Sequence, residues 1–155
     1  MTPAITFAKQ QKLAFRVLEY QHDANATSFG LEAVEKLGLD ERFVFKTLVV
    51  ELDNNQLVVA IVPVVSQLSL KQLAKAAGVK KAKMAEQIKV ERSTGYVLGG
   101  VSPLGQKKRL ATFIDTSAQT LDKVYVSAGR RGLEIELSPE QLAKSTNAKF
   151  CAIEQ

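Results

Sequence analysis

Residues 43–65 read FVFKTLVVELDNNQLVVAIVPVV, and this stretch decides the fold. It contains two runs rich in Val, Leu and Ile, at 43–52 and 57–65, which have the composition of β-strands. Between them, Asp53-Asn54-Asn55 has the residue types of a tight turn. The pattern therefore predicts a β-hairpin.

The rest of the chain mixes strand and helix patterns without strict alternation. Thr2-Pro3 and Ser138-Pro139-Glu140-Gln141 are typical helix starts, each with a capping residue followed by Pro. We predict helices at 3–13, 31–37, 69–77, 82–91 and 139–144, a polar loop at 23–28, and further strands at 15–21, 96–99, 109–114, 124–127, 133–137 and 150–153. Together with the hairpin, this order predicts a single α/β domain over residues 1–155, with helices packed around a mixed sheet.

Composition excludes several classes of protein. The chain has 155 residues with 46% apolar residues, which suits one domain with a core of its own. A single Cys and a single His cannot form an internal disulfide or the usual His/Cys zinc sites. The N-terminus lacks the pattern of a signal peptide, and the longest uncharged run contains Pro63 and polar residues. We therefore expect a cytoplasmic protein without a metal, a cofactor or a membrane span.

Positive charge is concentrated in one part of the chain. Residues 71–110 contain ten Lys or Arg and two Asp or Glu, whereas the whole chain has a formal net charge of +5. Such a segment attracts phosphate backbones. A solvated surface that keeps the protein soluble is an equally good interpretation.

Lys46 is the first candidate for chemistry. Strand alternation places it on one face with Leu48, Val50 and Leu52, so it is the one charged residue on an apolar face. Such a lysine either extends along the strand end to reach solvent or lies in a pocket as a base or a polar clamp for a ligand.

Two glycine-containing loops are candidates for ligand binding. The stretch 99–105, GGVSPLG, can bring backbone N–H groups close to a phosphate or an oxyanion, although an ordinary tight connection has the same composition. Gln106-Lys107 follows where a P-loop needs Lys and then Ser or Thr, which excludes that motif. In 127–132, SAGRRG, Ser127 could donate a hydrogen bond and the arginines could meet phosphate. A hairpin turn with solvated arginines is the alternative, and it fits Arg131 better than Arg130.

No nucleophilic catalytic group is evident. His22 and Asp23 are adjacent in a loop, and adjacency is no sign of a catalytic triad. Cys151 lies in the last predicted strand and is expected to pack as a small apolar residue.

Three segments together resemble the YbaK/EbsC family, free-standing relatives of the editing domain inserted in bacterial prolyl-tRNA synthetases. They are FKTL at 45–48, STGYVLGGVSPLGQKK at 93–108 and YVSAGRRGL at 125–133, and the likeness extends over essentially the whole chain. The resemblance implies a mixed β-sheet partly rolled toward a barrel, with surrounding helices.

It also implies an activity, namely removal of cysteine wrongly esterified to tRNA(Pro), with some action on Cys-tRNA(Cys). In this family the thiol of the substrate attacks its own ester, so no protein nucleophile is needed. Two alternatives stay open, a deacylase that uses water on alanine or another small amino acid, and a non-catalytic module that binds tRNA or a synthetase. The partners implied are the aminoacyl-tRNA and, transiently, prolyl-tRNA synthetase, with the basic segment facing one of them.

Site residues carry over from the family by position. Lys46 would contact the terminal adenosine and the ester, while backbone N–H groups of Gly100 and Val101 would hold the carbonyl oxygen. The substrate-binding positions are Tyr20, Phe29, Thr47, Gly99, Ser102, Pro103, Ser127 and Arg130. Glu134 occupies a position where relatives often have a small polar or acidic residue.

Overall fold

The computed structural model describes residues 1–26 and 28–155. The strands are β1 Arg16–Glu19, β2 Phe45–Leu52, β3 Leu57–Pro63, β4 Ala82–Met84, β5 Ala111–Asp115, β6 Val124–Ser127, β7 Leu133–Leu137 and β8 Lys149–Cys151. The α-helices are α1 Pro3–Gln10, α2 Phe29–Leu37, α3 Leu70–Ala76, α4 Gln87–Thr94 and α5 Pro139–Thr146. Two short 3-10 helices cover Glu41–Phe43 and Thr116–Thr120.

The predicted hairpin is formed by β2 and β3, which lie inside a five-stranded sheet. Its strand order is β4-β2-β3-β5-β8, with β2 antiparallel to β3 and to β4, whereas β3-β5 and β5-β8 are parallel. Phe45 pairs with Pro63 and Glu51 with Leu57 along the hairpin. The mixed sheet that the sequence predicts is therefore confirmed.

A second, three-stranded antiparallel sheet has the order β1-β7-β6. A single parallel bridge between Val44 and Tyr125 connects the start of β2 to β6. This bridge joins the two sheets at one corner, which is the partial rolling that the family resemblance implies. Within the described residues the strands do not close into a barrel.

Both faces of the hairpin are buried, so its strands read as continuous apolar runs instead of an alternation. On one face, Val49, Val59 and Ile61 belong to a core shared with α1 and the three-stranded sheet. On the other face, Val50 and Val62 pack in a second core that includes residues of α3. Lys46 lies at the open end of this second face.

The structure corrects three of the predicted elements. The single helix expected at 82–91 is β4 followed by α4, because Ala82 and Met84 pair with Leu52 and Val50 on β2. Pairing with a distant strand here overrides the helix propensity of Ala, Lys and Met.

The strand expected at 96–99 is instead a turn that follows α4. Gly95 ends the helix with a φ of +83°, and the Gly100 N–H donates a hydrogen bond to the Val97 carbonyl. The first helix ends at Gln10, not at residue 13. The loop predicted at 23–28 includes Thr27, which lies outside the described residues. None of the helices in the described part of the chain is long and apolar enough to cross a membrane.

Candidate active site

A cavity of about 260 Å³ lies where the two sheets and α2 meet. The start of β2, the facing ends of β6 and β7, the first turn of α2 and the loop after α4 all contribute to its walls. Most of the site residues expected from the sequence line it, namely Tyr20, Phe29, Lys46, Thr47, Gly99, Val101, Ser127 and Arg130. The fold thus brings together residues that are more than one hundred positions apart in sequence.

Lys46 is half-buried in this cavity, and burial lowers the pKa of its ammonium group. Among the described residues, no carboxylate lies within ion-pair distance of its Nζ. Every neighbour on its face of β2 is apolar, as alternation predicts. A desolvated cation without a partner can stabilise negative charge on a bound ligand.

Among the described residues, Glu134 is the acidic residue that lines the cavity, and it is only 8% exposed. It lies on β7 opposite Ser127 on β6 and Leu18 on β1. Burial raises the pKa of its carboxyl group to about 8, so the carboxyl is mainly protonated at neutral pH and can donate a hydrogen bond. Burial, and secondarily the Glu134 charge, also raise the pKa of Tyr20.

The Thr47 hydroxyl is a third polar group without a partner at this site. Its Oγ1 is buried and makes no hydrogen bond to any described residue. Leaving such a hydroxyl unpaired costs about 1–3 kcal/mol. Together with Lys46 and Glu134, it makes three polar groups on cavity-lining residues that have no partner among the described residues.

In the glycine loop, residues 99–105, neighbouring positions differ in whether they line the cavity. Gly99 and Val101 line the cavity, and no described residue accepts a hydrogen bond from the Val101 N–H. The Gly100 N–H is instead engaged with the Val97 carbonyl at 3.0 Å, and Gly100 does not line the cavity. A Cβ at Gly100 would lie 2.8 Å from the Arg130 Cα, so this glycine permits close contact between two loops. Of the two donors expected from the sequence, Val101 is the available one.

Ser102 and Pro103 do not line this cavity. Ser102 is fully buried, and its hydroxyl accepts a hydrogen bond from the Leu104 N–H at 3.2 Å. Pro103 borders a separate cleft of about 190 Å³. The geometry gives both residues a role in shaping the loop, and their expected contact with substrate stays a prediction.

Both arginines of the β6–β7 loop line the cavity, and their contacts differ. Arg130 lines the cavity but forms an exposed ion pair with Glu19 at 2.9 Å. Arg131 stacks its guanidinium on the Phe29 ring, 3.9 Å from the ring centroid. Arg131 was not predicted from the sequence, because the order of residues does not indicate which way a side chain points in a turn.

The single cysteine and the single histidine of the chain do not line the cavity. Cys151 lies on β8 at the edge of the five-stranded sheet and does not line the cavity. The His22 Nδ1 lies 2.7 Å from Glu32 Oε1. Burial raises the pKa of Glu32, but hydrogen bonds from the Asp23 N–H, His22 and Lys36 outweigh it and bring that pKa to about 2. Among the described residues, no three His, Cys, Asp or Glu side chains cluster as a metal site.

Comparison with known proteins agrees with this architecture. Residues 24–145 match the model of the aminoacyl-tRNA editing domain. The chain is 39% identical over 153 residues to EbsC of Enterococcus faecalis, whose proposed activity is deacylation of Cys-tRNA(Pro) and Cys-tRNA(Cys). That match covers 98% of this chain and 92% of EbsC.

Solved structures extend the comparison. A hypothetical protein of known crystal structure is 27% identical with a TM-score of 0.88, over 99% of both chains. A proposed trans-editing enzyme for prolyl-tRNA synthetase has a TM-score of 0.87 over 99% of this chain and 95% of its own; at 19% identity, that likeness shows the fold alone. The family match and the EbsC relationship confirm the resemblance found in the sequence, and the chain belongs to the family of aminoacyl-tRNA editing domains.

Proposed function

We propose that this chain is a cytoplasmic deacylase that removes cysteine from Cys-tRNA(Pro), with Cys-tRNA(Cys) as a second substrate. One observation carries the proposal. Lys46, Glu134 and Val101 line one cavity, the Lys46 and Glu134 side chains and the Val101 N–H have no partner among the described residues, and a bound ester would satisfy them. Family membership and the relationship to EbsC support the same activity.

The size of the cavity supports a small aminoacyl group. About 260 Å³ lies below the range of roughly 300–1,000 Å³ that is usual for drug-sized ligands. The amino acid and its ester would therefore lie inside, and the rest of the tRNA outside. A synthetase pocket for proline cannot strongly reject side chains of similar size, so a second site has to remove the errors.

The substrate supplies the nucleophile in the proposed reaction. The sulfur of the cysteinyl group attacks its own carbonyl carbon and forms a new S–C bond. The bond between the carbonyl carbon and the ester oxygen then breaks, and the cysteinyl group leaves as a cyclic thiolactone. The ester oxygen stays on the ribose and takes up the thiol proton as a hydroxyl. This route agrees with the position of Cys151, the only cysteine of the chain, away from the cavity.

The protein's contribution is positioning and charge stabilisation. Lys46 would hold the ester and the terminal adenosine, and its positive charge would stabilise the developing oxyanion. The Val101 N–H would donate to the same oxygen. For Gly100 to contribute, its N–H would have to leave the Val97 carbonyl, so its role is the close packing of the loop. Ser127 and the Tyr20 and Phe29 rings would form the walls around the amino acid.

Prolyl-tRNA synthetase is the proposed transient partner, and residues 1–155 are proposed to work as one editing domain. The basic segment would face the tRNA acceptor arm or the synthetase. Of its ten cationic residues, only Lys89 forms an ion pair within the described residues, with Glu51 at 2.8 Å. The other nine are therefore free to meet phosphate.

The test is release of labelled amino acid from tRNA(Pro) charged with cysteine, alanine, serine or S-methylcysteine, with and without prolyl-tRNA synthetase. Serine is the control closest in size that lacks the thiol, and S-methylcysteine keeps the sulfur with its thiol blocked, at the cost of one added methyl group. Fast release of cysteine alone supports the proposal. Release of alanine or S-methylcysteine would instead require attack by water, and release of serine would require water or its own hydroxyl. No release from any ester would favour a binding module.

A further inference from the structure

Arg131 connects three separate segments at the mouth of the cavity. Its guanidinium stacks on Phe29 at the start of α2, 3.9 Å from the ring centroid. Its Nη2 also donates a hydrogen bond to the Leu98 carbonyl at 3.4 Å. Arg131 itself belongs to the β6–β7 loop, and Phe29, Leu98 and Arg131 all line the cavity.

Gly99 lies close to both Arg131 and the Phe29 ring. A Cβ at Gly99 would lie 2.5 Å from Arg131 Nε and 2.8 Å from Phe29 Cε2. The glycine loop, the arginine and the aromatic ring are therefore in direct contact. A shift of any one of them has to move the others.

Phe29 is also held from its other sides. The His22 ring lies edge-on to it, with the ring centroids 5.8 Å apart. At the next position, a Cβ on Gly30 would lie 2.3 Å from Val64 Cγ1, so the first turn of α2 rests directly on the end of the hairpin. Arg131 thus adds a side-chain link between the Phe29 ring and the glycine loop, beside the close approach of Gly99 to the same ring.

We propose that Arg131 is a positioning residue that sets the amino-acid selectivity of the site by clamping the Phe29 wall against the Gly99 loop. The inference rests on the proposed function, because it assigns the cavity to an aminoacyl group. With the clamp in place, the wall cannot move outward, and bulky side chains are excluded. Arg131 contacts the wall and the loop, and it is not required to contact the reacting atoms.

The side chain has the properties that a clamp needs. The planar guanidinium stacks on an aromatic ring and donates an in-plane hydrogen bond at the same time, which the compact ammonium of lysine cannot do equally well. Among the described residues, Arg131 forms no ion pair with a carboxylate. Its partners among the described residues are the face of the Phe29 ring and the Leu98 carbonyl. Those two contacts fit a clamp better than a site built for phosphate.

The first experiment measures selectivity by binding, so that it does not depend on turnover. The ligands are acceptor minihelices of tRNA(Pro) that carry alanine or leucine through a non-cleavable amide at the terminal adenosine. Wild type should favour the alanyl ligand, and Arg131→Ala should reduce this preference about fivefold, the factor expected from losing a weak cation–π contact. Arg131→Lys should reduce it as well. Lys144→Ala, which removes one exposed charge from α5, should leave it unchanged.

A phosphate contact at Arg131 predicts a different result. Affinity for both ligands would then fall equally in Arg131→Ala and would be rescued by Arg131→Lys, with the selectivity ratio unchanged. That result would overturn the proposal. Thermal unfolding of each variant shows whether a change in selectivity has occurred in a folded protein.

The second experiment needs neither a ligand nor activity. The seven Phe residues are replaced by fluorophenylalanine, and the Phe29 fluorine signal is assigned with Phe29→Leu. Arg131→Ala should shift and broaden this signal, and Lys144→Ala should not. An unchanged Phe29 signal in folded Arg131→Ala would overturn the clamp even if the wild-type protein deacylates cysteine. Conversely, a wild-type protein that cleaves no ester would refute the proposed function. The fluorine signal would then still test whether Arg131 holds Phe29 in place.

Discussion

Lys46 and Glu134 line one cavity from two different sheets, and neither forms an ion pair with any described residue. Removing charged or polar groups from water without giving them partners lowers the stability of the fold. A cavity that collects several such groups is therefore better explained by a ligand than by stability.

Replacing Lys46 with alanine should reduce deacylation about 100-fold or more, as expected when one group that stabilises an oxyanion is removed. The thermal unfolding midpoint should change little, because Lys46 is half-buried and has no ion pair among the described residues. Single-turnover release of cysteine from Cys-tRNA(Pro) measures the effect. Lys144→Ala controls for loss of one positive charge, and unchanged turnover in Lys46→Ala would contradict the role of Lys46.

Replacing Cys151 with serine should leave deacylation of Cys-tRNA(Pro) unchanged. Cys151 lies on β8, outside the cavity, and the proposed nucleophile is the thiol of the substrate. The measurement is the same release assay, accompanied by circular dichroism to verify the fold. Complete loss of activity in a folded Cys151→Ser protein would mean that the enzyme's own thiol takes part.

The hairpin and the orientation of Lys46 could be predicted because both depend on local pattern. The apolar runs and the Asp53-Asn54-Asn55 turn lie within one short stretch, and strand alternation alone places Lys46 beside Leu48. The helix starts at Pro3 and Pro139 follow from local capping as well. Thr2 and Ser138 each accept a hydrogen bond from the N–H three residues later.

What could not be predicted depends on contacts between distant segments. β4 forms because Ala82 and Met84 pair with the edge of β2. This pairing partner lies about thirty residues away, so the local sequence does not indicate it. In β7, Glu134 and Glu136 have the same place in the alternating pattern, which is typical of a solvated face. Glu136 pairs with Arg16, whereas Glu134 turns out to face a buried cavity. Distant segments that line the cavity together with Glu134, among them the first turn of α2 and the glycine loop, distinguish the two residues.

Glu134→Gln should stabilise the protein, and the gain should grow as pH rises. The pKa of Glu134 is raised from 4.5 to about 8, so the native state keeps a proton that the unfolded chain loses above pH 4.5. The wild-type free energy of unfolding should therefore fall between about pH 4.5 and 8 and be insensitive to this group outside that window. Near pH 8 the variant should gain on the order of 3 kcal/mol.

Urea denaturation of both proteins at pH 5, 6.5 and 8 tests this linkage. Glu140→Gln is the control, because Glu140 is exposed on α5. Wild-type and Glu134→Gln stabilities that run parallel across these pH values would show that Glu134 is ionised in the native state.

Gly99→Ala should disturb the site in two ways. The added methyl group would clash with neighbouring side chains, and the backbone would be strained. Gly99 has a φ of +91°, and its new Cβ would lie 2.5 Å from Arg131 Nε and 2.8 Å from Phe29. Gly78→Ala is a matched control, since Gly78 has a φ of +77° and nothing within 4 Å of the Cβ position. Both variants should lose about 1–2 kcal/mol of stability from the left-handed backbone conformation.

Only Gly99→Ala should also lower the rate of cysteine release, because the added methyl group displaces the Phe29 wall and the loop that carries Val101. Comparing the two variants by release assay and urea denaturation separates these effects. An equal loss of stability with equal activity in both variants would mean that the loop tolerates the displacement. The close contact of Gly99 with Phe29 and Arg131 would then have no part in forming the site.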